Sequence, residues 1–185
     1  IAFSSDGKKI ATCGDERTVK VWSVSTGEPI FGLKKHESDV YRVAFSPDGT
    51  KLASADERYK ICVWDMSTGK NLAMFGGSYW HLGWLKDSKT LAAAGGSGVS
   101  FYDAANGARK GVYYHMPKSQ GLIIAASGHY SGTTGIETKL LYQAVTVSRQ
   151  CTLSPEEFTT RFGWKNDPAK VKIIEGVQAS TQPSK

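Results

Sequence analysis

Few side chains in this 185-residue chain have the type and setting to do chemistry. His36 stands in a loop, as an imidazole able to move a proton near neutral pH. Asp65 offers a carboxylate directly after Trp64, and Cys13, Cys62 and Cys151 are the thiols. Acyl or proton transfer needs a nucleophile, a base and a group that orients the base. No such arrangement is recognisable in these spacings, so no catalytic residue is assigned. The cysteines are odd in number, far apart and without CxxC or Cys/His spacing, so no metal and no cofactor is assigned either. Cys62 lies in the strand-like run Ile61-Cys62-Val63-Trp64 and reads as a small buried hydrophobe, while Asp65 reads as a turn-capping residue.

The net charge of +6 raises the question of nucleic acid. Residues 1–77 hold 11 Lys/Arg against 10 Asp/Glu, residues 78–125 hold 5 against 2, and residues 126–185 hold 7 against 5. The excess is spread along the chain as a solvated mixed-sign surface, without a basic arm. A nucleic-acid reading through Lys86, Lys89, Arg109, Lys110 and Lys118 would rest on charge alone. Hydrophobic residues make up 40% of the chain, and no apolar run reaches the roughly 20 residues of a bilayer helix, so a globular chain without a membrane role is expected. No signal peptide is visible, but the chain opens on Ile1 rather than Met; localisation stays open, with the cytoplasm favoured.

The elements that must position these residues come from an internal repeat. "IAFSSDGKKIATCGDERTVKVWSVSTGE" lies on "VAFSPDGTKLASADERYKICVWDMSTGK" at an offset of 42, so that Phe3 meets Phe45, Asp6-Gly7 meets Asp48-Gly49 and Trp22 meets Trp64. A weaker third copy, "HLGWLKDSKTLAAAGGSGVSFYDAANGAR", follows at offsets of 39 and then 38; Trp84 takes the Phe45 place and Tyr102 the Trp64 place. Within a copy, short β-branched or aromatic runs alternate with turns such as "SPDG", which predicts four short antiparallel strands. Such a sheet is apolar on both faces and must stack on copies of itself.

These residues resemble the WD-repeat family of β-propellers. His36 stands eighteen residues before Ser54, Trp64 ten after it, and Asp65 completes the "WD" pair. The resemblance implies an all-β fold of four-stranded propeller blades, here a partial propeller. It also implies that His36, Ser54 and Trp64, with Trp22 and Asp65 at their repeat places, serve as structural hydrogen-bonding residues. The place six before the Trp holds Glu16 and Arg58, so this set is expected to be incomplete. About three blades are expected over 1–112, with copies near 1–36, 37–77 and 78–112. Three blades cannot close a ring that needs four to eight, so upstream blades or another chain are expected to complete it.

Beyond the repeats, residues 113–150 are read as a degenerate blade or a β extension. In "LSPEEFTTRFGW", Ser154 is an N-cap, Pro155 the first helical residue, Glu157 the partner of a capping box, and Leu153 with Phe158 a staple. Phe158 and Phe162 share a face, and Gly163 is the expected stop, with Trp164 folding back on the last turn. A short helical capping segment is therefore expected within 151–176, making a small C-terminal α+β extension, and 177–185 reads as a disordered tail. This stretch resembles the C-terminal end of some large bacterial multidomain WD-repeat proteins.

In the family, ligands lie on the face near the start of each innermost strand. There Tyr41 aligns with Trp80 and Arg42 with His81, a candidate face for a protein or peptide. The expected function is a non-catalytic interaction scaffold. The alternative is the propeller portion of a multidomain enzyme, a kinase or protease, whose catalytic domain lies ahead of Ile1.

Overall fold

Ser46-Pro47-Asp48-Gly49 shows how the repeat makes its turns. The Ser46 hydroxyl donates to Asp48 Oδ1 (2.6 Å), the Thr50 amide donates to the same oxygen (3.0 Å), and Gly49 N–H closes on Ser46 O (2.9 Å) with φ of 69°. Ser4-Ser5-Asp6-Gly7 repeats it, with Ser4 Oγ to Asp6 Oδ1 at 2.6 Å and Gly7 at φ 67°. In the third copy Ser88 takes the left-handed position at φ 52°. Side-chain acceptors thus reverse the chain at the same point of each copy, and the apolar runs between become strands.

The computed structural model describes residues 1–77, 79–96, 98–116, 120–132, 142–145 and 150–171. It divides into two compact units, residues 1–110 and 111–185. In the first unit, β1 (Ala2–Phe3), β2 (Lys9–Thr12), β3 (Thr18–Ser23) and β4 (Pro29–Lys34) form sheet 1; β5 (Val40–Phe45), β6 (Lys51–Asp56), β7 (Lys60–Asp65) and β8 (Asn71–Gly76) form sheet 2. Sheet 3 holds β9 (His81–Trp84), β10 (Thr90–Gly95) and β11 (Gly98–Asp103), and β12 (Arg109–Met116) begins at the end of this unit. The strands of these sheets pair antiparallel in sequence order.

The register places equivalent residues in one cross-strand row per sheet. The rows are Phe3, Ile10 and Trp22; Phe45, Leu52 and Trp64; and Trp84, Leu91 and Tyr102. Each sheet has a leading face carrying this row and a trailing face of smaller residues. Between sheets 1 and 2, Ala11, Val19, Val21 and Leu33 of the first meet Leu52, Cys62, Trp64 and Met66 of the second. Between sheets 2 and 3, Ala53, Ala55, Ile61, Val63 and Ala73 meet Leu91, Ala93, Tyr102 and Ala104. Burying one such aliphatic side chain contributes about 1.5–3 kcal/mol, against about 0.5–1.5 for a typical hydrogen bond. Apolar stacking therefore holds the sheets together, and polar contacts set their alignment.

Asp65 caps the β7–β8 turn. Its Oδ1 accepts from Ser67 Oγ (2.6 Å), Ser67 N (2.8 Å), Thr68 N (2.8 Å) and Thr68 Oγ1 (3.0 Å). The Ser67 hydroxyl first, then these other donors, hold the carboxyl down to about 2 from 3.8. The lowered folded-state value means that the turn's contribution is present above pH 4 and is lost as pH falls toward 2. Asp65→Asn is expected to lower the melting temperature at pH 7, and the gap to wild type should narrow steadily as pH falls from 4 toward 2. A gap independent of pH would show that the charge is not what holds the turn.

In the second unit, β12 pairs with β13 (Gln120–Ala125) and β13 with β14 (Tyr130–Gly132), while β15 (Tyr142–Val145) and β16 (Gln150–Leu153) form a hairpin. Helix α1 (Pro155–Phe162) starts on a capping box, with Glu157 N to Ser154 Oγ at 3.2 Å and Ser154 N to Glu157 Oε2 at 2.7 Å, and ends on Gly163 at φ 68°. The Trp164 ring stacks on His129, at 5.3 Å and 19°, beside Leu122 and Tyr130, while the Phe158 and Phe162 side chains of the helix it was expected to fold back on lie outside the described residues. The Asn166 side chain anchors this segment by bonding both the N–H (2.8 Å) and the C=O (3.0 Å) of Tyr130. The side chains of Leu153, Phe158, Phe162 and Cys151 lie outside the described residues, as does the tail 177–185.

Candidate functional site

The structure brings His36, Ser54 and Trp64 together in the interior of sheet 2. Trp64 Nε1 donates to Ser54 Oγ (2.8 Å), Ser54 Oγ lies 2.7 Å from His36 Nε2, and His36 Nδ1 lies 3.0 Å from Asp56 Oδ2. One assignment satisfies every atom. Indole N–H donates to the hydroxyl oxygen, the hydroxyl donates to Nε2, and Nδ1–H donates to the carboxylate. Asp56 Oδ1 then accepts from Arg58 N (3.0 Å) and Lys60 N (2.9 Å), which folds the β6–β7 turn.

The carboxylate of this set is Asp56, eight residues before Trp64, and the sequence reading missed it. The available signal was an aspartate closing β6 directly ahead of a turn. Asp65 lies apart from the set, in its own turn. In sheet 1, Trp22 Nε1 donates to Thr12 Oγ1 at 3.0 Å, and Gly14 stands where Asp56 would be. In sheet 3, the Tyr102 hydroxyl bonds that of Tyr79, from the linker ahead of β9, and their rings meet edge to face at 5.8 Å.

Serine, histidine and aspartate in this order resemble a nucleophile, its base and an orienter. Ser54 is fully buried, however, and its oxygen already accepts from Trp64, so no substrate reaches it. The set is a clamp that ties the loop of His36 to the strands of Ser54 and Trp64. Cys62 is also sealed, its thiol pushed up to about 12 first by burial and then by the nearby Asp56 charge. Among the described residues, no group of His, Cys, Asp and Glu could hold a metal ion. None of the described helices is long and apolar enough to cross a membrane.

The surface residues converge elsewhere in the first unit. Arg42, on β5, donates from Nε to Trp80 O (3.2 Å) and from NH1 to Tyr41 O (3.0 Å), with its guanidinium carbon 5.5 Å from the Tyr41 ring centroid. Trp80 is 59% exposed, His81 is exposed and Tyr41 half-buried. Burial first, then the neighbouring Tyr59, push the Tyr41 hydroxyl up. Tyr59, which the sequence reading did not single out, sits at φ 61° in the turn that Asp56 folds and is exposed. Of the lysines and arginines considered for nucleic acid, Lys86, Lys89 and Arg109 are exposed, Lys110 Nζ bonds Thr90 Oγ1 (3.0 Å), and Lys118 lies outside the described residues.

Residues 1–23 and 27–65, which hold strands β1 to β7, match the family described as WD domain, G-beta repeat. A stretch of 45 residues is 42% identical to Topless-related protein 1 of Arabidopsis thaliana and a 45-residue stretch is 44% identical to Protein TPR3 of Oryza sativa subsp. japonica. Each match covers 23% of this chain, and the chain spans only 4% of the length of these relatives. The Cps50 (Swd1) β-propeller domain of Myceliophteria thermophila superimposes with a TM-score of 0.50 at 17% identity, over 68% of this chain and 50% of that one. The fold is that of β-propeller blades.

Proposed function

We propose that this chain is part of a WD-repeat propeller that serves as a non-catalytic protein-interaction scaffold, carried in a longer, multidomain polypeptide. Tyr41, Arg42, Trp80 and His81 form its binding rim. The observation that carries this reading is the Arg42 bridge from sheet 2 to the Trp80 carbonyl at the start of sheet 3, which leaves the indole standing in solvent. Arg42 is ordered by two backbone acceptors and Tyr41 by its place beside it, so a peptide meets side chains whose entropy is already reduced. Aromatic and arginine side chains of this kind are the usual anchors of protein interfaces.

Peptides selected from a displayed random library on the wild-type chain test this. Trp80→Ala is expected to weaken their binding about tenfold or more while leaving thermal unfolding nearly unchanged. Selected peptides that bind the variant as well as wild type would remove the rim from the function. A large loss of stability would make Trp80 a packing residue.

A further inference from the structure

The rim is built on an irregularity of β5. Val40 pairs with Asp56 and Arg42 with Ala55, so Tyr41 is the extra residue of a bulge, the kind of insertion that re-aims side chains beside a site. Two bonds in opposite directions then fix β5 against the next sheet. Arg42 Nε donates to Trp80 O (3.2 Å), and Trp84 Nε1 donates back to Ala44 O (2.9 Å). Trp80 lies against the turn between β10 and β11, where a Cβ on Gly96 would stand 4.0 Å from its Cη2, and most of the indole is open to solvent.

Both acceptors of Arg42 are backbone carbonyls, Trp80 O and Tyr41 O. They hold the guanidinium in place without neutralising it, and among the described residues Arg42 makes no ion pair. The NH2 hydrogens and the second hydrogen of NH1 have no acceptor among the described residues, on a side chain that is itself exposed. A fixed, uncompensated charge with open donors therefore stands directly beside an exposed ring. A guanidinium in this state is suited to a carboxylate, which can accept two of its N–H groups at once.

We propose that the ligand of this rim is a peptide segment carrying a side-chain carboxylate, Asp or Glu, one or two residues from a large apolar side chain; this rests on the reading of the rim as a peptide site. The carboxylate takes the open hydrogens of Arg42, and the apolar side chain lies on the Trp80 indole. The spacing follows from the bond between Arg42 and the backbone of Trp80, which makes charge and ring neighbours, and from the extended chain, which returns a side chain to the same face every two residues, about 6.6 Å apart. One carboxylate suits the site better than a phosphate. Arg42 supplies a single charge, and after burial and Tyr59 the negative Asp56 and Glu57 also push the neighbouring Tyr41 hydroxyl up, so a dianion would meet repulsion that Arg42 alone does not offset. A cationic ligand is opposed by the guanidinium that already stands over the Tyr41 ring.

The experiment uses peptides selected from a displayed random library on the 185-residue chain and synthesised with amidated C-termini. Their shared pattern is expected to hold Asp or Glu one or two positions from a large apolar residue. Each peptide is made with Asp, Asn or phosphoserine at the acidic position and titrated on wild type, Arg42→Gln and Trp80→Ala. On wild type the Asn form is expected to bind about tenfold more weakly than the Asp form, and on Arg42→Gln the two should bind alike. That ratio holds its meaning even if Arg42→Gln loosens Trp80, because a loosened rim weakens both forms together. On Trp80→Ala both forms weaken and the ratio between them persists. A pattern without an acidic residue, equal binding of the Asp and Asn forms to wild type, or a ratio unchanged in Arg42→Gln overturns the proposal, and the rim still stands as a peptide site if Trp80→Ala weakens binding. Peptides indifferent to Trp80→Ala overturn both. A phosphoserine form bound about tenfold more tightly than the Asp form, or binding that requires a free C-terminus, also overturns it, assigning the anion to a phosphate or to a terminal carboxylate.

Discussion

Asp56→Ala is expected to destabilise the chain by about 3–5 kcal/mol, the cost of removing one partner from a buried polar pair. Both side chains, His36 and Asp56, are fully buried, so no water replaces the lost carboxylate. Three donors lose their acceptor at once, namely His36 Nδ1–H, Arg58 N–H and Lys60 N–H. Each buried orphan costs about 1–3 kcal/mol, and partial relaxation of the exposed turn brings the sum into the stated range. Asp56→Asn separates the parts. Its carbonyl still accepts from Arg58 and Lys60, while its amide faces Nδ1 and forces the other imidazole tautomer. Nε2–H must then donate to Ser54 Oγ, which already accepts from Trp64, leaving the serine proton without a partner. About 1–2 kcal/mol is expected for this variant. Urea unfolding of the two variants decides it: equal losses would mean that the chain of donors is not what Asp56 supports.

The repeat itself was legible because turn chemistry and strand pattern agree at every step. Asp48-Gly49 and Asp6-Gly7 announce tight turns, and the runs between them have strand composition; the observed rows of Phe45, Leu52 and Trp64 follow from that period alone. The helix was legible for the same reason, since Ser154, Pro155, Glu157 and Gly163 each act within a few residues of their own position. Asp56 was harder to see. Its role depends on which face of β6 points inward and on a loop twenty residues away, and an offset sought six residues before the Trp passes over it. Tyr79 escaped for a related reason. It replaces a histidine in function while contacting a tyrosine instead of a tryptophan, so sheet 3 keeps the clamp with none of the residues that signal it. The pairing of Trp164 with His129 was not legible, because it depends on the Asn166 bonds to Tyr130 and on the Asp167 N–H bond to His129 Nδ1, both made to a distant segment. Local signals were readable, and pairings between distant segments were not.

Gly69→Ala is expected to cost roughly 2–5 kcal/mol, from two separable causes. Gly69 closes the β7–β8 turn at φ 71°, where a side chain costs about 1–2 kcal/mol from backbone strain alone. The added Cβ would also stand 2.7 Å from Phe31 Cδ1 and 3.0 Å from Cε1, closer than real contacts allow. Phe31 packs against the core between sheets 1 and 2, so its ring can move only by displacing neighbours, an overpacking cost of about 1–3 kcal/mol. Gly27→Ala isolates the first cause, because Gly27 has the same turn geometry at φ 73° and open space where its Cβ would go. The difference between the two variants in urea unfolding is then the inter-sheet contact itself. Phe31→Leu added to Gly69→Ala should recover part of that difference and none of the backbone strain. If Gly69→Ala and Gly27→Ala cost the same, the ring of Phe31 does not rest on this turn, and glycine is required there by the backbone alone.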